Sequence, residues 1–267
     1  MSSLLLAGSN DASPQYGVLG LIDTPEAVSS VIDELSELPE PPSSPPSIYM
    51  DLEGINLCRY GTVSILQVYS RPRRKTYLVD IMTLGKAAFE TSGTRTSNTL
   101  QSILESEDIP KVFFDVRRDS DALFAHFQIK LRGIHDLQLM ELATRKYPKK
   151  SVAGLRQCIL SDLKLKETKR RDWMAAKEAG SKLFAPEKGG SYEVFNLRPL
   201  PEEIRAYCIQ DVSFLPLLWL LYHSKLRKKW KNKLDKATRD RVSESQAENY
   251  EPKGPHNLLA PAGWRSW

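Results

Sequence analysis

The sequence predicts an α/β fold: one mixed β-sheet, three antiparallel strands and then parallel ones, flanked by helices and carrying a helical C-terminal extension. Three observations predict it. Segments rich in β-branched and aromatic residues at 47–52, 63–69 and 76–81 are separated only by short links containing Gly or Pro, so they read as an antiparallel meander. Beyond residue 98, helical and strand patterns alternate, as in a sheet covered by helices. From Ser151 onward the pattern is mostly helical.

Taken in order, residues 18–23 read as a short strand, and Thr24-Pro25 places a cap and a first-turn proline before an amphipathic helix over 28–38. The proline-rich stretch 39–46 is an extended connector that cannot join a sheet interior. After the meander come a helix at 98–105, a fourth strand at 111–115, a helix at 120–127 and a fifth strand at 133–135. Asp136 then caps a helix over 137–146. Helices are expected at 153–160 and 168–179, and a loop at 184–192. One long helix at 201–221 runs into a basic tract at 223–241, and little order is expected beyond Ser243. The domain reading is 1–46 for the N-terminal segment and connector, 47–222 for the main domain, and 223–267 for the basic extension and tail.

A chain of 267 residues with 41% hydrophobic and 27% charged residues is ordinary globular composition, which excludes wholesale disorder, a collagen-like chain and a coiled-coil rod. No apolar run approaches the roughly 18–20 residues of a membrane span, and residues 1–8 lack the basic start of a signal peptide. Cys58, Cys158 and Cys208 fit neither a disulfide framework nor a cysteine zinc site. These features predict a soluble intracellular protein, in the nucleus or cytoplasm, with no membrane association. The net charge of +5 permits a polyanionic partner without requiring one.

Candidate chemistry lies in scattered carboxylates. Asp51 and Glu53 sit two apart at the end of a strand, so they share a face, and Gly54 follows where the strand leaves the core. Asp119 lies just past the fourth strand, among Asp115 and Asp121. Tyr207 and Asp211, four apart on a helix, stack on one face. Each has an ordinary alternative: the three aspartates as helix caps or solvated surface, Tyr207 as a half-buried packing residue. Gathered together, four carboxylates would raise one another's pKa unless hard divalent cations such as Mg²⁺ or Mn²⁺ were bound. Two such ions can activate water at a phosphodiester and stabilise the leaving oxygen.

With these residues in view, the chain resembles the ribonuclease D-like 3′–5′ exonucleases, in the tyrosine-containing (DEDDy) branch of the ribonuclease H-like superfamily. The motifs that carry the resemblance are Ile48-Tyr49-Met50-Asp51-Leu52-Glu53-Gly54, the stretch 111–123 with Asp119, and Tyr207-Cys208-Ile209-Gln210-Asp211-Val212. Asp136-Leu137-Gln138 and Arg198-Pro199-Leu200 resemble family landmarks outside the site, and the likeness spans 18–222. The surrounding text looks like a eukaryotic, fungal-type member. The resemblance implies a ribonuclease H-like fold, two Mg²⁺ or Mn²⁺ ions held by Asp51, Glu53, Asp119 and Asp211, and Tyr207 beside the attacking water. It implies hydrolysis of single-stranded RNA or DNA from the 3′ end. Some members of the superfamily are non-catalytic modules that bind RNA or protein, and that alternative stays open. No accessory C-terminal nucleic-acid module of the bacterial enzyme is recognisable. The stretch 166–199 is longer than the plain fold requires and reads as surface decoration in preference to a closing loop.

The basic tract supplies candidate nucleic-acid contacts: Lys225, Arg227, Lys228, Lys229 and Lys231 for phosphates, and Trp230 for base stacking. The alternatives are a solvated helix end, whose C-terminus favours cations, and a nuclear-import-like tract.

Overall fold

A computed structural model describes residues 20–38, 45–146 and 148–265. The expectations for 18–19 and for 39–44 of the connector lie outside the described residues. In chain order the elements are α1 Pro25–Ser36, β1 Ile48–Glu53, β2 Ile65–Ser70, β3 Lys75–Asp80, the short α2 Ile81–Leu84, α3 Ala87–Glu90 and α4 Leu100–Glu105. Then follow β4 Lys111–Phe113, α5 Arg117–Phe127, β5 Ile134–Asp136, α6 Leu137–Thr144, α7 Leu155–Asp162, α8 Glu167–Phe184, α9 Glu202–Ser213, α10 Leu215–Lys225 and α11 Lys228–Gln246. The expected strand at 18–23 is, in its described part, a single bridge from Ile22 to Val79.

The sheet order is β3-β2-β1-β4-β5. β1, β2 and β3 form the antiparallel meander, and β1–β4 and β4–β5 are parallel. Alternation along β1 decides which side carries the chemistry. Ile48, Met50 and Leu52 enter a core with α1, α4 and α5, whose members include Val31, Ile103 and Leu123. Tyr49 faces the opposite core, with Val112, Leu139, Val212 and Trp219. Asp51 and Glu53 share the Tyr49 face. There, Ile65 and Leu78 of the sheet bury against Ile204 and Cys208 of α9.

β4 pairs with β1 only at Ile48 and Tyr49. The β4-side flank of Asp51 and Glu53 is therefore left for α5 to approach, at the carboxyl ends of parallel strands where chain order reverses. The turn after β1 is pinned by close contact: a Cβ on Gly54 would lie 2.1 Å from the Thr62 carbonyl oxygen.

The expected long helix is two, broken around Phe214 with Pro216 in the first turn of α10. By length and composition Glu202–Lys225 matches a membrane crossing, so the sequence expectation that nothing approaches one needs correction. Ile204, Cys208, Val212, Leu215, Leu218, Trp219 and Tyr222 of that stretch are buried in the protein core.

The residues after Ser243 also depart from expectation. α11 continues to Gln246, and the segment after it folds back over the cleft side of the molecule. Arg59 donates to the carbonyls of Ser245, Ala247 and Glu248, and Arg117 donates to Asn257. Ser151 bridges Leu259, and Trp264 buries edge-to-face against Trp230. A polar, Pro/Gly-rich composition reads as loose when only local propensity is weighed; these anchors come from residues remote in the chain, those on Arg59, Arg117 and Ser151 more than a hundred positions away.

Candidate active site

Asp51 and Glu53 leave the end of β1, and Asp211 reaches them from α9; ligand oxygens of the three lie within 4.8 Å of one another. Asp119 comes from the first turn of α5, whose N-cap is Val116, so Asp119 is not a cap. It lines the same cleft, of about 670 Å³, as Asp51 and Glu53. Tyr207 precedes Asp211 by four residues on α9, and Asp211 is the first of the acids that bear on its hydroxyl. The structure therefore brings the five residues into one cluster, with Asp51, Glu53 and Asp119 lining the cleft and Asp211 and Tyr207 packed beside them from α9.

Their electrostatics are those of a cluster short of cations. Burial first, then Asp119, Asp211 and Glu53, push Asp51 well above the usual carboxylate range. Burial and Asp211 raise Glu53 to about 8. Burial raises Asp119 to about 7, and it raises Asp211 despite the offsetting Lys177 and Tyr207. The Tyr207 hydroxyl is driven far above the ordinary phenol range by burial and by the acids beside it. Two carboxylate oxygens, Oδ1 of Asp119 and Oδ2 of Asp211, are buried with no hydrogen-bond partner. Unpartnered buried charge is costly. An all-oxygen, anionic donor set with partnerless oxygens fits a hard divalent cation such as Mg²⁺ or Mn²⁺.

The neighbouring acids are occupied otherwise. Arg117 grips Asp115 with two bonds of 2.6 Å. Arg59 holds Asp121 through Nε at 2.6 Å and its backbone N–H at 2.8 Å. Asp136 caps α6, accepting from Gln138 and Leu139, and binds Arg241 at 2.7 Å. Of the three aspartates between 115 and 121, only Asp119 faces the cleft without an arginine.

Sequence reasoning missed Lys177. Its ammonium donates to Asp211 Oδ1 and sits 3.3 Å from the centre of the Tyr207 ring. It is carried by α8, so the stretch 166–199, expected to be decoration, forms one side of the site. A spacing signal was present: Trp173, Lys177, Gly180 and Phe184 repeat at four, three and four residues, one face of a helix. The tail was missed too, for Tyr250, Lys253 and Asn257 line the same cleft as Arg118 and Tyr192.

A family model described as 3′–5′ exonuclease matches residues 20–230. The chain belongs to the 3′–5′ exonuclease family. Among its relatives, human piRNA biogenesis protein EXD1 is 30% identical over 171 residues, covering 62% of this chain and 30% of that protein. The chain thus spans less than a third of the length of the curated relatives it matches. Trypanosoma brucei RNase D in complex with GMP is 22% identical with a TM-score of 0.69, covering 92% of this chain and 70% of that one. Its complex with RNA U12 gives 21% and 0.67, with coverage of 92% and 77%. Brucella melitensis NrnC with bound Mg²⁺ gives 15% and 0.53, covering 81% and 96%. At these identities the likeness is one of fold.

The basic tract stands elsewhere. Lys225 ends α10, Arg227 precedes α11, and Lys228, Lys229 and Lys231 are exposed on its first turn. Arg227, Lys228 and Lys231 border a hollow of about 400 Å³ with His135 and His223, beside β5. The C-terminal end of α11, by contrast, is clamped by Arg59 near the cleft. With 19 residues, α11 is about 28 Å long, so the tract lies roughly one helix length from that clamp. It also occupies a helix N-terminus, where the dipole disfavours cations; the expected helix-stabilising explanation does not apply to Lys228, Lys229 and Lys231. Trp230 must be corrected. It is 5% exposed, locked against Trp264 and under Lys149, so its ring is a packing element and offers no face for a base.

Proposed function

We propose that the protein is a catalytically active, DEDDy-type, metal-dependent 3′–5′ exonuclease acting on single-stranded nucleic acid. One observation carries the reading: four carboxylates from β1, α5 and α9 converge in one cluster at the cleft, with two of their buried oxygens unpartnered. A module kept only for binding has no use for that expense. Asp51, Glu53, Asp119 and Asp211 would hold two Mg²⁺ or Mn²⁺ ions, which when bound supply an activated water and charge stabilisation for the leaving oxygen.

The chain's own residues do the rest. Tyr207 keeps its proton at any physiological pH, because burial and the adjacent acids oppose its ionisation. It is therefore a donor that orients the attacking water, not a general base. The cleft walls, with Arg118 on α5 and Lys253 on the tail, offer exposed cations for the strand's phosphates. RNA is the favoured substrate, supported by the RNA-bound trypanosome structure and by the description of EXD1 as a piRNA biogenesis protein. The basic tract at 225–231 is a distal contact for longer substrates.

A second reading, a silent module that binds RNA or protein partners, draws on the Lys177–Asp211 pair, which already gives one of the carboxylates a cation. Degradation of matched 3′-labelled and 5′-labelled RNA and DNA strands, with Mn²⁺ and with EDTA, separates the two. Loss of nucleotides from the 3′ end only with metal is expected. Undiminished binding with no degradation in Mn²⁺ would establish the silent module.

A further inference from the structure

We propose that Lys177 is a built-in counter-ion of the carboxylate site, which the protein exchanges for a divalent cation at Asp211 when it binds metal. The inference rests on the reading of the pocket as a metal site and adds a residue that none of the site motifs contains.

The placement of Lys177 is imposed by packing. One face of α8 lies on α9 through four residues. Trp173 is buried and meets Phe214 edge-on, and Phe184 meets Tyr207 edge-on at 4.9 Å between centroids. Gly180 lets the two helices touch, since a Cβ there would lie 2.6–2.8 Å from the Tyr207 side chain. Lys177 occupies the remaining place on this otherwise apolar face. Its side chain is 17% exposed and that of Asp211 is 5%, so the pair is largely withdrawn from water. A lysine in that setting is costly unless its charge is used.

Its charge is used on the whole cluster. Lys177 is the cation that offsets the mutual repulsion felt by Asp51, Glu53 and Asp211. The bond is made to Oδ1 of Asp211, while Oδ2 of the same carboxylate is buried and unpartnered. A divalent ion drawn to Asp211 would sit against the ammonium on the same group, and like charges that close repel. One of the two must yield, and the flexible one is the four-carbon lysine stem. A second seat lies at hand: the Tyr207 ring face, 3.3 Å from Nζ, keeps a cation–π partner after the ion pair opens. Lysine and metal are then alternative neutralisers of one set of acids, and each weakens the other's binding by the same factor.

The test uses the full chain, stripped with EDTA, as wild type, Lys177→Met and Lys177→Arg, with Mn²⁺ as the probe in calorimetric titration and in thermal melts. Lys177→Met keeps the stem and removes the charge. It is expected to bind Mn²⁺ about tenfold or more tightly than wild type, to melt lower without metal, and to gain more on saturation; each tenfold is about 1.4 kcal/mol. Lys177→Arg, which keeps the charge, is expected to bind Mn²⁺ no more tightly than wild type. If Lys177→Met is unfolded without metal, Mn²⁺ should restore its fold, and failure to do so counts against the exchange. Equal Mn²⁺ affinity and equal melting gain in wild type and Lys177→Met overturn the exchange while leaving the metal site standing. No Mn²⁺ binding by wild type overturns the metal site itself, and the exchange with it.

Discussion

Two sets of buried or half-buried acids, which alternate along α5 and its approach at Asp115, Asp119 and Asp121, are treated in opposite ways. Asp80, Asp115, Asp121 and Asp136 each have an arginine: Arg198, Arg117, Arg59 and Arg241. Burial pulls Asp80 and Asp115 upward, but the arginines and hydrogen bonds more than offset it, and both carboxyls end below their ordinary value. Asp51, Glu53 and Asp119 have no such partner, Asp211 has only Lys177, and all four are pushed up. The contrast teaches that neutralisation was available nearby and withheld from the cleft. A fold built for stability alone would have paired the second set like the first, and the unpaired set is where an external cation has most to gain.

The strongest way to break this contrast is to remove a charge from each side. Asp51→Asn or Asp211→Asn should lower Mn²⁺-dependent degradation of a 3′-labelled strand by about 10³-fold or more, roughly 4 kcal/mol of barrier, with circular dichroism unchanged. Wild-type rates in either variant would remove the assignment. Among the paired acids the loss falls on stability. Arg241→Met leaves Asp136 buried without its guanidinium, and urea denaturation should show a cost of about 3–5 kcal/mol.

A finer probe is pH. In metal-free protein the carboxyls of Asp119 and Glu53 have folded-state values raised to about 7 and 8. Because the folded state binds these protons more tightly than the unfolded chain, their contribution is full below the ordinary carboxylate values and is lost as pH rises through 7 and 8. Melting temperature in EDTA should therefore fall over that window, and saturating Mn²⁺ should flatten the fall. Asp119→Asn should raise metal-free stability at the alkaline end by about 1 kcal/mol, the opposite sign to Arg241→Met. A metal-free melting temperature that climbs across the window would contradict the raised values.

The smallest effect lies outside both sets. Replacing Lys228 and Lys231 together by Gln should reduce the slope of log affinity against log salt by about 1.4 for a long single strand. For a strand too short to reach from the cleft to the start of α11, the slope should not change.

Much of this architecture was legible in the residues. The meander, the alternation after it and the Asp136 cap are local matters of periodicity and turn chemistry; strand ends and a four-residue helix spacing made the five site residues candidates, and the resemblance of their motifs to a known family implied their roles. Errors gathered where the partner is remote. Trp230 sits in a run of lysines and reads as exposed, but Trp264 covers it. The tail reads as loose, but Arg59 and Arg117 hold its backbone. Lys177 reads as one cation among many on a polar helix until α8 is laid on α9.

By itself, then, the order of amino acids determined which residues can ligate a hard cation and that strand and helix would present them at element ends, because side-chain chemistry and backbone periodicity are local properties. Tertiary structure alone decided which acids receive an arginine and which do not. It also decided that a lysine from α8 enters the pocket and that the tail walls the cleft. Charge pairing is settled by distances of a few ångströms between residues far apart in the chain, and nothing in a local pattern encodes those distances.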